Sequence, residues 1–129
     1  MKYLSSDYTL IKAEYNFTNK EGVTAIDIET NEKVKIVDIE EKRVLLQIER
    51  TVRFLPLENT FVRVVFEVRV ETSKTVTKDE IAKDIKANEN LLGGAFSDAS
   101  LAIAAITSLS PFRTVITPPL YDVKEITVE

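Results

Sequence analysis

The 129-residue chain contains no cysteine and no histidine. Without cysteine there is no disulfide framework, no thiolate nucleophile and no cysteine-ligated metal. Without histidine there is no Ser-His-Asp triad, no Cys-His pair and none of the usual zinc or iron ligand sets. Glycine is scarce, at three residues, so neither a GxGxxG nor a Walker-type phosphate loop can be written. Gly93-Gly94 ahead of a helical stretch is a weak form of an anion-binding helix start, and the charge of Asp98 opposes it. The first ten residues, MKYLSSDYTL, have no apolar core and carry Asp7 early, so no signal peptide is expected. The longest uncharged stretch is shorter than the roughly 18–20 apolar residues that cross a bilayer. No membrane insertion is expected, and a cytoplasmic location is the simplest reading.

What is present is acidic and evenly mixed. The net charge is -4 with a pI near 5.0, which argues against nucleic acid as the main partner. Basic and acidic residues interleave, as in Arg63, Glu67, Arg69 and Glu71, a pattern typical of a solvated sheet face. The carboxylates Asp27, Glu29, Asp38, Glu40 and Glu41 do not have calcium-loop spacing. They are read as solvated surface charge ahead of a paired-carboxylate active site. The expectation is therefore no enzyme, no metal and no cofactor.

Hydrophobic period supplies the organisation. Tyr8 to Thr18 alternates, with Thr9, Ile11, Ala13, Tyr15 and Phe17 on one side, which predicts a half-buried strand. Val23 to Glu29 reads as a short strand, and Thr30-Asn31-Glu32 as a turn. Val34 to Ile39 is apolar with a slip between Ile36 and Val37, the mark of a bulge. Arg43 to Leu55 places Val44, Leu46, Ile48, Val52 and Phe54 on one face, with Arg50 interrupting it. Phe61 to Glu71 has Val62, Val64, Phe66, Val68 and Val70 unbroken on one face, and a short connection makes these two strands a hairpin. Phe17, Phe54, Phe61, Phe66 and Tyr15 are expected in the core.

After Glu71 the period changes to helical. Thr77-Lys78-Asp79-Glu80 is a capping box, with a short helix to about Ala87 burying Ile81 and Ile85. A loop from Asn88 to Gly94 follows, with Gly93-Gly94 free to take positive φ. Ser97 or Asp98 is expected to cap a main helix running to about Leu109. Ala99 to Phe112 carries no charge; Ala99, Ala102, Ile103 and Ile106 follow the helical period, and Leu101, Ala104, Ala105 and Leu109 cover most of the remaining circumference. A helix apolar on nearly every side asks for more partners than a short chain supplies, and a second subunit is the natural source. Pro111 and Pro118-Pro119 keep the exit extended, and Leu120 to Glu129 alternates in part through Val123, Ile126 and Val128. The whole reads as one α+β domain over residues 1–129. Leu91, Leu92 and Phe96 around the glycines, and Phe112, Leu120 and Tyr121 around the proline-rich exit, are apolar residues in loops. Such residues either fold back on the core or form a recognition patch.

The segment Phe96-x-x-Ala99-x-x-x-Ile103, followed by Ser108, Phe112, Val115 and Pro119, resembles the C-terminal signature of SecB-like chaperones. The order of antiparallel strands followed by helices is similar as well. The resemblance implies about four antiparallel strands with two C-terminal helices on one face, assembled as a homo-oligomer, dimer or tetramer, through Leu101, Ala102, Ala105, Ile106 and Leu109. It implies an ATP-independent holdase that takes unfolded or nascent polypeptide in apolar grooves, with Leu91, Leu92, Phe96, Phe112, Leu120 and Tyr121 as client-binding residues. Protein export and the guarding of an antitoxin are the two settings it suggests. An oligomeric adaptor of the same fold that binds one specific protein partner is the alternative.

Overall fold

Strict alternation of apolar residues decides the sheet. In the computed structural model, which describes residues 2–17, 27–55, 57, 60–87, 91–110, 114–117 and 123–128, five strands and two helices follow in the order β1 (Tyr3–Asn16), β2 (Asp27–Glu40), β3 (Arg43–Leu55), β4 (Phe61–Thr72), α1 (Lys78–Ala87), α2 (Gly93–Thr107) and β5 (Val123–Val128). Every second residue of β3 from Val44 to Phe54 is buried, and so is every second residue of β4 from Val62 to Thr72. One face of each strand therefore faces the helices and the other faces solvent. The sheet order is β1-β4-β3-β2-β5. The first four strands pair antiparallel, and β5 adds in parallel to the outer edge of β2. The class is α+β as expected, with one strand more than four.

The turn expected at Thr30 to Glu32, the unbroken alternation of β1 and the burial of Tyr15 are revised. Residues Thr30 to Glu32 do not turn; they sit within β2, in register with Val52, Thr51 and Arg50 of β3. Cross-strand pairing overrides the weak turn preference of Asn31. The slip after Ile36 is a true irregularity, with Ile36 paired to Leu46 and Asp38 to Leu45. The reading of Val23 to Ala25 lies outside the described residues. In β1 a second irregularity, between Leu10 and Lys12, resets the alternation. Tyr8 and Leu10, then Ala13 and Tyr15, face the helical side opposite Val68, Phe66, Val64 and Val62. Thr9 is on the other side and Ile11 falls in the bulge. Helix α2 lies against β4 and β3, so β1 stays exposed along most of its length. Tyr15, expected in the core, is 63% exposed. It stacks on half-buried Phe17, whose ring meets Phe54 edge-on at 6.2 Å.

Helix α1 begins as its sequence dictates. The Glu80 backbone N–H donates to the Thr77 hydroxyl at 3.1 Å, and Ile81 and Ile85 are buried. Helix α2 starts earlier than expected, at Gly93, with Leu92 at the cap position and no side-chain cap. Burial of Leu92, Ala95 and Phe96 sets this start, each being wholly inaccessible; full burial of a large apolar side chain outweighs a typical cap of about 1 kcal/mol. Gly93 and Gly94 are thus helical instead of forming a positive-φ turn. Gly94 answers a different demand: a Cβ there would lie 2.4 Å from the Tyr8 hydroxyl oxygen.

Candidate binding surface

Helix α2 carries the surface that the sequence leads one to expect. Its sequence is apolar almost all round, but within one chain only the stripe Ala95, Phe96, Ala99, Ile103 and Thr107 is buried. On the opposite side Leu101 is 70% exposed and Leu109, just past the helix, 89% exposed. Ala105 is exposed, and Ala102 and Ile106 are half-buried. The residues expected to meet a second subunit therefore share the open side and margins of α2. Ile116, in the extended segment that follows, is 81% exposed. Exposed Leu10, Ala13 and Tyr15 add apolar surface on the helical side of β1.

The client-binding set is divided by the structure. Leu91, Leu92 and Phe96 belong to the hydrophobic core, with Phe96 and Leu92 at 0% exposure. This corrects their reading as loop residues open to a ligand: early helix formation turns them inward onto the sheet, where they support α2 from beneath. Phe112, Leu120 and Tyr121 lie outside the described residues.

The helix and the segment after it are pinned by a polar cluster that the sequence signalled only as a break in an apolar face. Arg50 projects from β3 into the space between sheet and helices and is 1% exposed. One of its guanidinium nitrogens donates to Glu32 on β2 at 3.1 Å. The other terminal nitrogen donates to the Ser100 hydroxyl on α2 at 2.9 Å and to the Thr117 hydroxyl at 3.1 Å. Thr117 also reaches Ser100 at 3.0 Å, and the guanidinium lies 4.9 Å from the centre of the Phe96 ring, a cation–π distance. Burial pulls the Arg50 pKa below its ordinary value, and Glu32 opposes that pull. Arginine stays charged under such conditions, so the cluster is a buried ion pair with hydroxyl partners. A second stitch follows: the Val115 backbone N–H donates to the Thr107 hydroxyl at 2.8 Å. Together the two stitches hold residues 114–117 along α2. Glu32 was masked in sequence by the turn assignment, whereas Arg50 was visible as a charge on the cleanest apolar face in the chain.

The solvent face of the sheet is chemically different. A shallow concavity of about 930 Å³ is lined by Glu14, Glu29, Lys33, Glu49, Arg53 and Arg63 among others. Arg63 pairs with Glu49 and with Glu14, so charges of both signs are already matched across strands. Among the described residues no group of acidic side chains gathers as a metal site would require, and no helix is long and apolar enough to cross a membrane.

The arrangement is a five-stranded mixed sheet backed on one side by two helices, with an apolar side of the longer helix left open. No family model matches the sequence, and no curated protein is detectably similar to it. Among solved structures, the SecB-like chaperone Rv1957 of Mycobacterium tuberculosis, in complex with a ChAD peptide from the antitoxin HigA1 (Rv1956), superposes with a TM-score of 0.65. The match covers 93% of this chain and 88% of that one at 11% identity. The chain therefore carries the SecB-like fold in a strongly diverged sequence.

Proposed function

We propose that this chain is an ATP-independent chaperone of the SecB-like kind, acting in the cytoplasm as a homo-oligomer that holds unfolded or nascent polypeptide. The observation that carries the proposal is the open apolar side of α2 on this fold, with Leu101 and Leu109 mostly exposed. Exposed leucines in a line are costly in water, at roughly 25 cal/mol per Å² of apolar area left uncovered. A second copy covers Leu101, Ala102, Ala105, Ile106 and Leu109, while Phe112, Leu120 and Tyr121 with exposed Ile116 receive the client. Non-directional apolar contact suits a ligand with no fixed shape.

A second reading has an observation in its favour. The structural neighbour is bound to a peptide from one antitoxin, so a single dedicated protein partner, in a toxin–antitoxin setting, fits the same surface.

The test is aggregation of a guanidinium-denatured model protein on dilution, followed by light scattering. The wild-type chain suppresses scattering at stoichiometric amounts, and a Leu101→Asp/Leu109→Asp variant loses most of that effect together with its oligomer. Absence of suppression by the wild-type chain overturns the holdase reading. Selective capture of one folded or peptide partner under the same conditions supports the adaptor instead.

A further inference from the structure

The parallel strand β5 stands apart from the rest of the sheet. The antiparallel array β1-β4-β3-β2 is continuous without it, and β5 pairs only with Glu32 to Ile36, with a register slip after the first pair. Strand β2 is much longer, from Asp27 to Glu40. Among the described residues, no strand lies along the outer edge of β2 on either side of the β5 contact. A sheet edge with no strand beside it is a template for an extended chain.

The hold of β5 is also shallow. Val123 and Ile126 pack against the core but are only half-buried, and Val128 is half-exposed. Strands β3 and β4, by comparison, each bury a full alternating set. The Lys33–Glu125 pair, at 3.7 Å with both side chains about half-exposed, is of the kind that contributes little. An element with no fully buried apolar group is drawn from the low end of local stability.

The geometry points to β5 as a built-in competitor: the outer edge of β2 is a docking edge for an extended polypeptide segment with alternating apolar residues, and the chain's own β5 occupies it until such a segment displaces it. β5 itself is the evidence for the occupant, because it already sits there as an extended segment carrying Val123, Ile126 and Val128. The lengths of β2 beyond the β5 contact, which no strand accompanies among the described residues, give a longer incoming segment a place to start pairing before β5 has left. Exposed Ile28 on one side, and half-buried Val37 and Ile39 on the other, offer it apolar contacts. Because β5 is tethered, its effective concentration is high, on the order of millimolar for a short linker. A ligand in trans therefore sees an affinity reduced by the fraction of molecules whose edge is free. This inference rests on the proposed function only in taking an extended polypeptide as the occupant.

The absence of native cysteine permits a clean test. Lys35 and Thr127 are in register on neighbouring strands, about 4.8 Å apart in a regular sheet and so within disulfide reach. The full-length Lys35→Cys/Thr127→Cys protein is compared oxidised and reduced, with a fluorescein-labelled peptide of residues 121–129 as the probe in fluorescence anisotropy. Reduced protein binds the peptide as wild type does, oxidised protein loses binding at least tenfold, and an Ile126→Asp variant gains about tenfold. Equal affinity of the oxidised and reduced forms, or no binding to either, overturns the proposal; this comparison stands even if Ile126→Asp fails to fold. Aggregation suppression by the same two samples separates this inference from the holdase reading. Equal suppression by both overturns the competitor role and leaves the holdase standing. No suppression by either, with peptide binding switched by the disulfide, overturns the holdase and leaves the edge site standing.

Discussion

Arg50 on β3 donates to Glu32 on β2 across 3.1 Å, and both side chains are all but sealed from water. The pair is the joint at which sheet, helix α2 and the segment around Thr117 meet. Removing one partner strands the other as a buried charge. Arg50→Ala is expected to cost about 3–5 kcal/mol, read as a lower midpoint in urea unfolding. The double substitution Arg50→Met/Glu32→Leu removes both charges at once and should restore most of that loss. A double variant no more stable than the single one would contradict the pairing.

Gly94 and Tyr8 form a second tight relationship, between α2 and β1. The predicted cost of Gly94→Ala is set by collision with the tyrosine ring, since the hydroxyl oxygen, Cζ and Cε2 all lie within 3.0 Å of the added Cβ. Helix propensity alone would make alanine the better residue by about 1 kcal/mol. A net loss in thermal midpoint on Gly94→Ala, turned to a gain in a Tyr8→Ala background, is the expected pattern. A gain in both backgrounds would show that α2 is not held against β1 in this way.

The β2–β3 turn offers a stabilising change. Lys42 has φ of 60°, a left-handed conformation that L side chains adopt at a cost. Its carbonyl accepts from the Thr72 backbone N–H at 3.0 Å, so the turn geometry is fixed from a neighbouring strand. Lys42→Gly should raise stability by up to about 1 kcal/mol, with denaturant unfolding as the measurement. Loss of stability would contradict the positive φ.

Asp84 on α1 carries an acid-sensitive tie to the start of β1. Hydrogen bonds from the Tyr3 hydroxyl and from Lys2 hold its carboxyl below the ordinary value, and burial with the Asp84 bond pushes the Tyr3 phenol up. A depressed folded pKa means that the stabilisation is present above the unfolded value near 4 and is lost as pH falls through the lower folded value. Asp84→Asn should lower the thermal midpoint at pH 6 and flatten its decline between about pH 4 and pH 2. An unchanged slope in that window would contradict the tie.

Much of this architecture is legible in alternation and capping. The β3–β4 pair, the Thr77 cap and the burial of Ile81 and Ile85 follow directly from side-chain period. Two kinds of feature escaped it. The first is what a third layer decides: β1 has a strand's pattern, but nothing in its residues says that α2 lies over β4 and β3 instead, leaving Tyr15 exposed. The second is what burial overrides: Leu92 and Phe96 flank glycines and read as loop, yet their fit onto the sheet starts the helix early. The Arg50 cluster shows how a site was half visible. A lone cation on an apolar face demands a buried acid, but Glu32 could be recognised as that acid only once β2 was known to run through residues 30–32.

On the proposed function, the open side of α2 belongs to an assembly that carries other polypeptides. Multi-angle light scattering, with and without a denatured client protein, tests it most directly. The expected mass is at least two 14.6 kDa subunits and rises by the mass of bound client. A 14.6 kDa particle, unchanged when client is added, would contradict it.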